Sequence, residues 1–139
     1  MQRKSDEKGF TLIELLIVIV ILGLLAGLVG PKMFSKVGAS KQKTAKAQIS
    51  LFETALDTYR LDVGRYPTTE EGLDALRHKP EGVDNWDGPY LPKDVPKDPW
   101  GRPYIYRSPG EHGPYDILSY GADGQPGGEG EDADVVSWQ

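Results

Sequence analysis

Phe10 to Gly30 is a stretch of 21 residues carrying one charge, Glu14, and from Leu15 to Gly30 it contains only Leu, Ile, Val, Ala and Gly. As a helix, at about 1.5 Å rise per residue, it matches a hydrocarbon core of roughly 30 Å. Three readings compete. A secretory signal would be cut after the block at a small-residue site, but Ala26 to Pro31 fits such a site poorly and the block is long for one. A plain membrane anchor accounts for the hydropathy but not for Glu14. A carboxylate inside a spanning segment costs about 2.5–3.5 kcal/mol unless it lies near the interface or meets a positive charge. No basic residue lies between Phe10 and Gly30. In the third reading the chain is cut between Gly9 and Phe10. The new α-amino group is then a cation about one helical turn from Glu14, and the amino terminus of a neighbouring subunit would serve equally well.

The rest of the chain has a different character. Outside the apolar block it is too polar to bury a large core, and 17 Gly and 11 Pro commit much of it to turns and loops. With no cysteine, a disulfide framework, a thiolate metal site, a cysteine nucleophile and a lipid-acylated cysteine are all excluded. The net charge of −5 offers no support for nucleic-acid binding. The charge is also segregated. Residues 32–60 carry six basic and two acidic side chains, net +4, whereas residues 61–139 carry seven basic and sixteen acidic, net −9. An apolar tip, a basic stem and an acidic head imply ordered contacts with a charged surface or with further copies of the chain.

Helical periodicity continues beyond the apolar block. Ile49, Phe52, Leu56, Tyr59 and Val63 form one apolar stripe, with Lys43, Lys46, Asp57 and Arg60 on the opposite face and Gly64 as a stop. Pro31, preceded by Gly23, Gly27 and Gly30, predicts a kink or local melting, although such glycines are also ordinary packing residues of membrane helices. In the head, Thr68 with Glu71 makes a capping box, predicting a short helix from about Thr69 to His78. Glu81 to Gly101 reads as ordered loop, with Trp86, Tyr90 and Trp100 as anchors to the stem's stripe. Pro103–Arg107 and Tyr115–Tyr120 have strand composition and flank a turn, and a third strand is expected near Val135 to Trp138. The fold class is therefore α+β, a long amino-terminal helix packed on a small antiparallel sheet.

Lys8-Gly9-Phe10-Thr11-Leu12-Ile13-Glu14 resembles the class III signal sequence of type IV pilins and their relatives. That resemblance implies cleavage between Gly9 and Phe10 by a prepilin peptidase, N-methylation of Phe10, and a role for Glu14 in assembly. The head is similar to the major pseudopilins of type II secretion, in Leu61 to Leu73, in Pro99-Trp100-Gly101-Arg102-Pro103-Tyr104 and in Ser119-Tyr120-Gly121-Ala122-Asp123-Gly124. Together these imply a type IV pilin-like chain with residues 1–9 as a cytoplasmic leader, 10–30 as the membrane-spanning half of a long helix, 31–64 as a periplasmic stem and 65–139 as a globular head. The implied function is that of a structural subunit of the type II secretion pseudopilus, a helical filament that promotes export of folded proteins across the outer membrane. Its partners would be further copies of itself, minor pseudopilins, the prepilin peptidase and the inner-membrane assembly platform. The implied location is the bacterial inner membrane, single-pass, with the amino terminus cytoplasmic. The alternative is a subunit of another pilus-like fibre for adhesion, motility or DNA uptake. Adhesive pilins usually close their carboxy-terminal loop with a disulfide, and this chain has no cysteine. The resemblance also suggests salt bridges between subunits at Glu53 and Asp57.

His78 and His112 belong to no catalytic or metal-binding motif, so an enzyme is not expected. The acidic stretch from Asp123 through Glu129, Glu131, Asp132 and Asp134 is dense in hard oxygen donors but does not follow EF-hand spacing. By composition it is either a solvated, disordered tail or a loop that needs a cation to fold. The family resemblance implies a structural Ca²⁺ here, with Asp123, Asp132 and Asp134 as ligands and Leu118, Ser119 and Gln125 offering carbonyls.

Overall fold

The computed structural model describes residues 9–139, apart from the side chains of residues 29 and 31–35. Residues 1–8 of the expected leader thus lie outside the described residues. The chain divides into two compact units between Val37 and Gly38.

One helix, α1, runs from Leu12 to Val63, 52 residues. Thr11 starts it: its Oγ1 accepts the Glu14 backbone N–H at 3.0 Å, and its carbonyl accepts the Leu15 N–H at 3.1 Å. Gly64 stops it, at φ 97° with its N–H donated to the Arg60 carbonyl at 2.8 Å, a left-handed closure that a side chain would strain. The expected local melting at Pro31 is not found, because helical backbone continues through that position. Proline's fixed φ is itself helical, so the backbone can pass through it, at the cost of the bond its nitrogen would have donated and of ring crowding against the preceding turn. Among the described residues no helix is long and apolar enough to cross a membrane. Large apolar side chains of α1 between Leu12 and Leu28 are exposed, Leu12 at 85% and Leu28 at 71%.

The second unit is built on the upper part of α1. Ile49, Phe52, Leu56 and Tyr59 are buried as the periodicity predicts, and Ala45 and Ala55 join them. Three short strands cover this stripe: β1 (Ile105–Arg107), β2 (Asp116–Ser119) and β3 (Val135–Val136). They form one antiparallel sheet in the order β1-β2-β3, with Tyr106 opposite Ile117 and Ser119 opposite Val135. β2, the central strand, is buried along its whole length.

Between stem and sheet, the Thr68–Glu71 capping box forms. Glu71 accepts the Thr68 N–H at 2.9 Å and Thr68 Oγ1 accepts the Glu71 N–H at 3.1 Å. The α-helix expected after it does not. Gly72, at φ 66°, breaks the helix after one turn, and only a 3₁₀ turn, Leu73–Leu76, follows. Tyr90 reaches the stem as expected, edge-on to Tyr59 at 5.7 Å between centroids. Trp86 instead donates to the Ala75 carbonyl at 2.8 Å and packs on Tyr90, while Trp100 packs partly buried against the same core.

Candidate functional site

At the amino-terminal end, Gly9 and Phe10 are exposed and precede the first helical residue by two or more positions. Glu14 lies in the first turn of α1, its backbone capped by Thr11. A carboxylate there also meets the positive end of the helix dipole. Thr11-x-x-Glu14 has the spacing of a capping box, a signal that was read at Thr68 but is equally present here. The helix start and the one charge of the Phe10–Gly30 stretch therefore coincide.

On the stem, Glu53 and Asp57 are one turn apart. Asp57 Oδ1 accepts the Tyr66 hydroxyl at 3.0 Å. Burial pushes the Glu53 carboxyl up, Lys46 pulls it back, and Asp57 adds to the rise. Among the described residues neither acid forms an ion pair within the chain. Lys46, expected on the outer face, turns inward: its Nζ donates to the Val136 and Gln139 carbonyls, each at 2.7 Å. One turn earlier, Gln42 donates to the Gly130 carbonyl at 2.5 Å and to that of Ala133 at 3.4 Å. A turn before that, Gly38 is buried, and a Cβ there would overlap the Glu131 side chain. Three successive helical turns thus grip the carboxy-terminal segment.

The acidic loop is folded rather than a free tail. Arg102 donates to the Gly121 carbonyl at 3.1 Å, and the Ala122 N–H reaches the Glu131 carbonyl at 3.0 Å. A 3₁₀ turn spans Gly130–Asp132. Asp123 is exposed and its Oδ1 accepts the Gln125 N–H at 3.1 Å. Asp132 is exposed. Asp134 Oδ2 accepts the Gly127 N–H at 3.1 Å, while its Oδ1 is buried with no hydrogen-bond partner. Leu118 and Ser119 are held within β2, between both neighbouring strands in the case of Leu118. Among the described residues, no group of three or more acidic or histidine side chains converges to hold a metal ion, so the three aspartates are not brought together. The orphaned Asp134 Oδ1 does fit a cation, since a buried carboxylate oxygen without a donor is costly.

Two further carboxylates organise the head and were not singled out in the sequence. Asp98 is buried; its Oδ1 accepts the N–H groups of Trp100 (3.1 Å) and Arg102 (2.8 Å), and its Oδ2 accepts the Ser119 hydroxyl at 2.6 Å. Asp98-Pro99-Trp100-Gly101 carries the turn signature that marks it, Asp first, Pro second and Gly fourth. Asp116 is fully buried and accepts the Glu111 N–H at 2.9 Å and the His112 ring Nδ1 at 3.0 Å. The His112 ring in turn stacks on Trp138, 3.8 Å between centroids and 3° from parallel. No sequence spacing announces that pairing.

A long helix whose upper part is the spine of a small antiparallel sheet defines a pilin-like class of chain, and the sequence comparisons narrow it. The profile described as "Prokaryotic N-terminal methylation motif" matches residues 4–30, and that described as "Type II secretion system (T2SS), protein G" matches residues 32–138. The chain belongs to the type II secretion protein G family, the major pseudopilins. It is 48% identical to the type II secretion system core protein G of Pseudomonas aeruginosa, over 99% of each chain. With that of Vibrio cholerae it shares 45% identity, over 99% of this chain and 96% of the relative. The crystal structure of the major pseudopilin from the type 2 secretion system of enterohaemorrhagic Escherichia coli superposes with a TM-score of 0.63 at 36% identity, covering 78% of this chain and 95% of that one. The fold class expected from sequence is the one observed, and the chain is a pseudopilus subunit in type II secretion. The family is a structural one.

Proposed function

We propose that this chain is cut between Gly9 and Phe10, methylated at the Phe10 amine and held in the inner membrane by Phe10–Gly30, with its head in the periplasm. From there it polymerises through α1 into the pseudopilus, with minor pseudopilins and the assembly platform as partners and without catalytic activity of its own. The observation that carries this reading is the methylation motif at residues 4–30, set against the exposed large apolar side chains of α1 between Leu12 and Leu28. In the assembled fibre, Glu14 pairs with the Phe10 amine of an adjacent subunit, since two opposite charges each offset the other's desolvation. Glu53 and Asp57, which form no ion pair among the described residues, pair with basic side chains of neighbouring subunits.

The carboxy-terminal loop is proposed to hold a structural Ca²⁺, with Asp134 the firmest side-chain ligand because its Oδ1 has no other partner, and with Asp123, Asp132 and the Leu118, Ser119 and Gln125 carbonyls as further candidates. Calcium would supply positive charge among crowded carboxylates and accept main-chain oxygens in flexible geometry.

Amino-terminal sequencing and intact mass of the membrane-extracted protein test the processing. The expected product starts at methylated Phe10, and a product starting near Met1 or after Ala26 would refute it. Glu14→Gln is expected to be processed normally yet to form few filaments, and normal filament yield would remove the proposed pairing.

A further inference from the structure

The upper stem and the loop after Trp86 enclose an open groove of about 600 Å³. Leu51, Thr54 and Thr58 form one wall and Pro89 to Pro92 the other, with Asp62 and Asp87 also lining it. The helix wall is readily desolvated. Thr54 Oγ1 donates back to the Ser50 carbonyl and Thr58 Oγ1 to that of Thr54, each at 3.2 Å, so both hydroxyls are satisfied within the helix and the methyl groups are left to face a neighbour. Leu51 beside them is 63% exposed. The acidic rim is held in place by one side chain: the Tyr90 hydroxyl donates to Asp62 Oδ2 at 2.7 Å and accepts the Asp87 N–H at 2.9 Å. Among the described residues neither aspartate has an ion-pair partner.

The complementary surface lies lower on the same helix. Between Ala39 and Ala47 the exposed side chains are small and uncharged (Ala39, Ser40, Thr44, Ala47) or are the lysines Lys41 and Lys43. Among the described residues these two lysines are also unpaired. Small side chains let two helices approach closely, and lysines flanking them suit an acidic rim.

We infer that this groove is the docking site for the lower stem of a second copy of this chain, with Lys43 of the incoming copy beside Asp62 and Asp87. The inference rests on the self-assembly proposed above and assigns it a surface. Groove and occupant lie on different stretches of one helix, so the contact is heterologous: each copy that fills a groove offers its own, and the chain of contacts stays open.

The absence of cysteine from the chain makes disulfide cross-linking a clean test on the full-length protein in bacterial membranes. The double variant Lys43→Cys with Asp87→Cys is expected to give a ladder of covalent multimers on oxidation, and each single variant monomer alone. A product that stops at two copies means a closed symmetric pair and overturns the inference. Fibres seen by electron microscopy without a ladder overturn it too, while leaving self-assembly intact. A ladder without fibres upholds the docking contact and counts against the fibre. Charge exchange provides an independent readout. Lys43→Glu and Asp87→Lys are each expected to reduce multimers about fivefold when the detergent-extracted protein is sized by light scattering, and the pair together to restore them. Failure of the pair to rescue refutes the assignment.

Discussion

Asp116 offers the sharpest test of what holds the head together. Its side chain is 1% exposed, yet it carries a charge. Burial acts to raise its pKa, but the His112 ring and the N–H groups of Glu111 and His112 outweigh that and hold the carboxyl below its ordinary 3.8. Asp116→Asn keeps the shape but replaces one acceptor oxygen with an NH₂ group that faces donors. A hydrogen bond to a charged group contributes about 1.5–3 kcal/mol net. With one or two such bonds lost, the expected destabilisation is about 2–4 kcal/mol. For a domain of this size each kcal/mol lowers Tm by about 4–8 °C, so thermal unfolding in detergent, followed by circular dichroism, should fall by at least about 8 °C. The pH dependence has a definite sign. A carboxyl whose folded pKa lies below its unfolded value contributes stability that is complete above the unfolded value and is lost as pH falls through the folded one. The parent should therefore weaken progressively below about pH 4, and the Asn variant should lack that component. An Asn variant within about 0.5 kcal/mol of the parent, with the same acid sensitivity, would refute the reasoning.

Lys46→Met removes an ammonium that donates to two carbonyls of the carboxy-terminal segment; a loss of about 1.5–3 kcal/mol and faster amide exchange at Val135 and Val136 are expected. Tyr59 is buried with a hydroxyl that has no partner, so Tyr59→Phe should be neutral or stabilising by up to about 1 kcal/mol, and marked destabilisation in a urea titration would reveal a role for that hydroxyl. Added calcium should raise the melting temperature of the parent, because a ligand that binds only the folded state stabilises it, and chelator should reverse the rise. Asp134→Ala should abolish the response, and a parent indifferent to calcium would leave the loop as solvated charge.

The parts of the fold that follow from local periodicity were legible in the sequence. The buried stripe from Ile49 to Tyr59, the stop at Gly64 and all three strands are set by spacing and turn residues within a few positions. The short helix after Thr68 was misjudged because its start signal is genuine while Gly72 ends it within a turn. Lys46 was misplaced for a different reason. Its position on the helix is local, but its partners at Val136 and Gln139 are 90 and 93 residues away, and no pattern along the chain reports such a contact. Asp98 could have been found from its turn signature. The stacking of His112 on Trp138 could not, because Trp138 reaches the ring of His112 only once the carboxy-terminal strand has paired with β2. At the acidic loop the residue types were legible, but their convergence was not: Asp134 turns one oxygen inward, whereas Asp123 and Asp132 stay exposed.

The grip of Gly38, Gln42 and Lys46 on the carboxy-terminal segment also has a mechanical side. The contacts run in the same direction on both partners, from residues 130–133 at Gln42 to residues 136–139 at Lys46. A pull along the stem axis would therefore load them in shear, all at once, rather than peel them one after another. Bonds loaded together resist far more than the same bonds opened in turn. A subunit built this way can be dragged by its stem while its sheet stays closed, and force-ramp unfolding along the stem axis should show one abrupt event instead of a staircase.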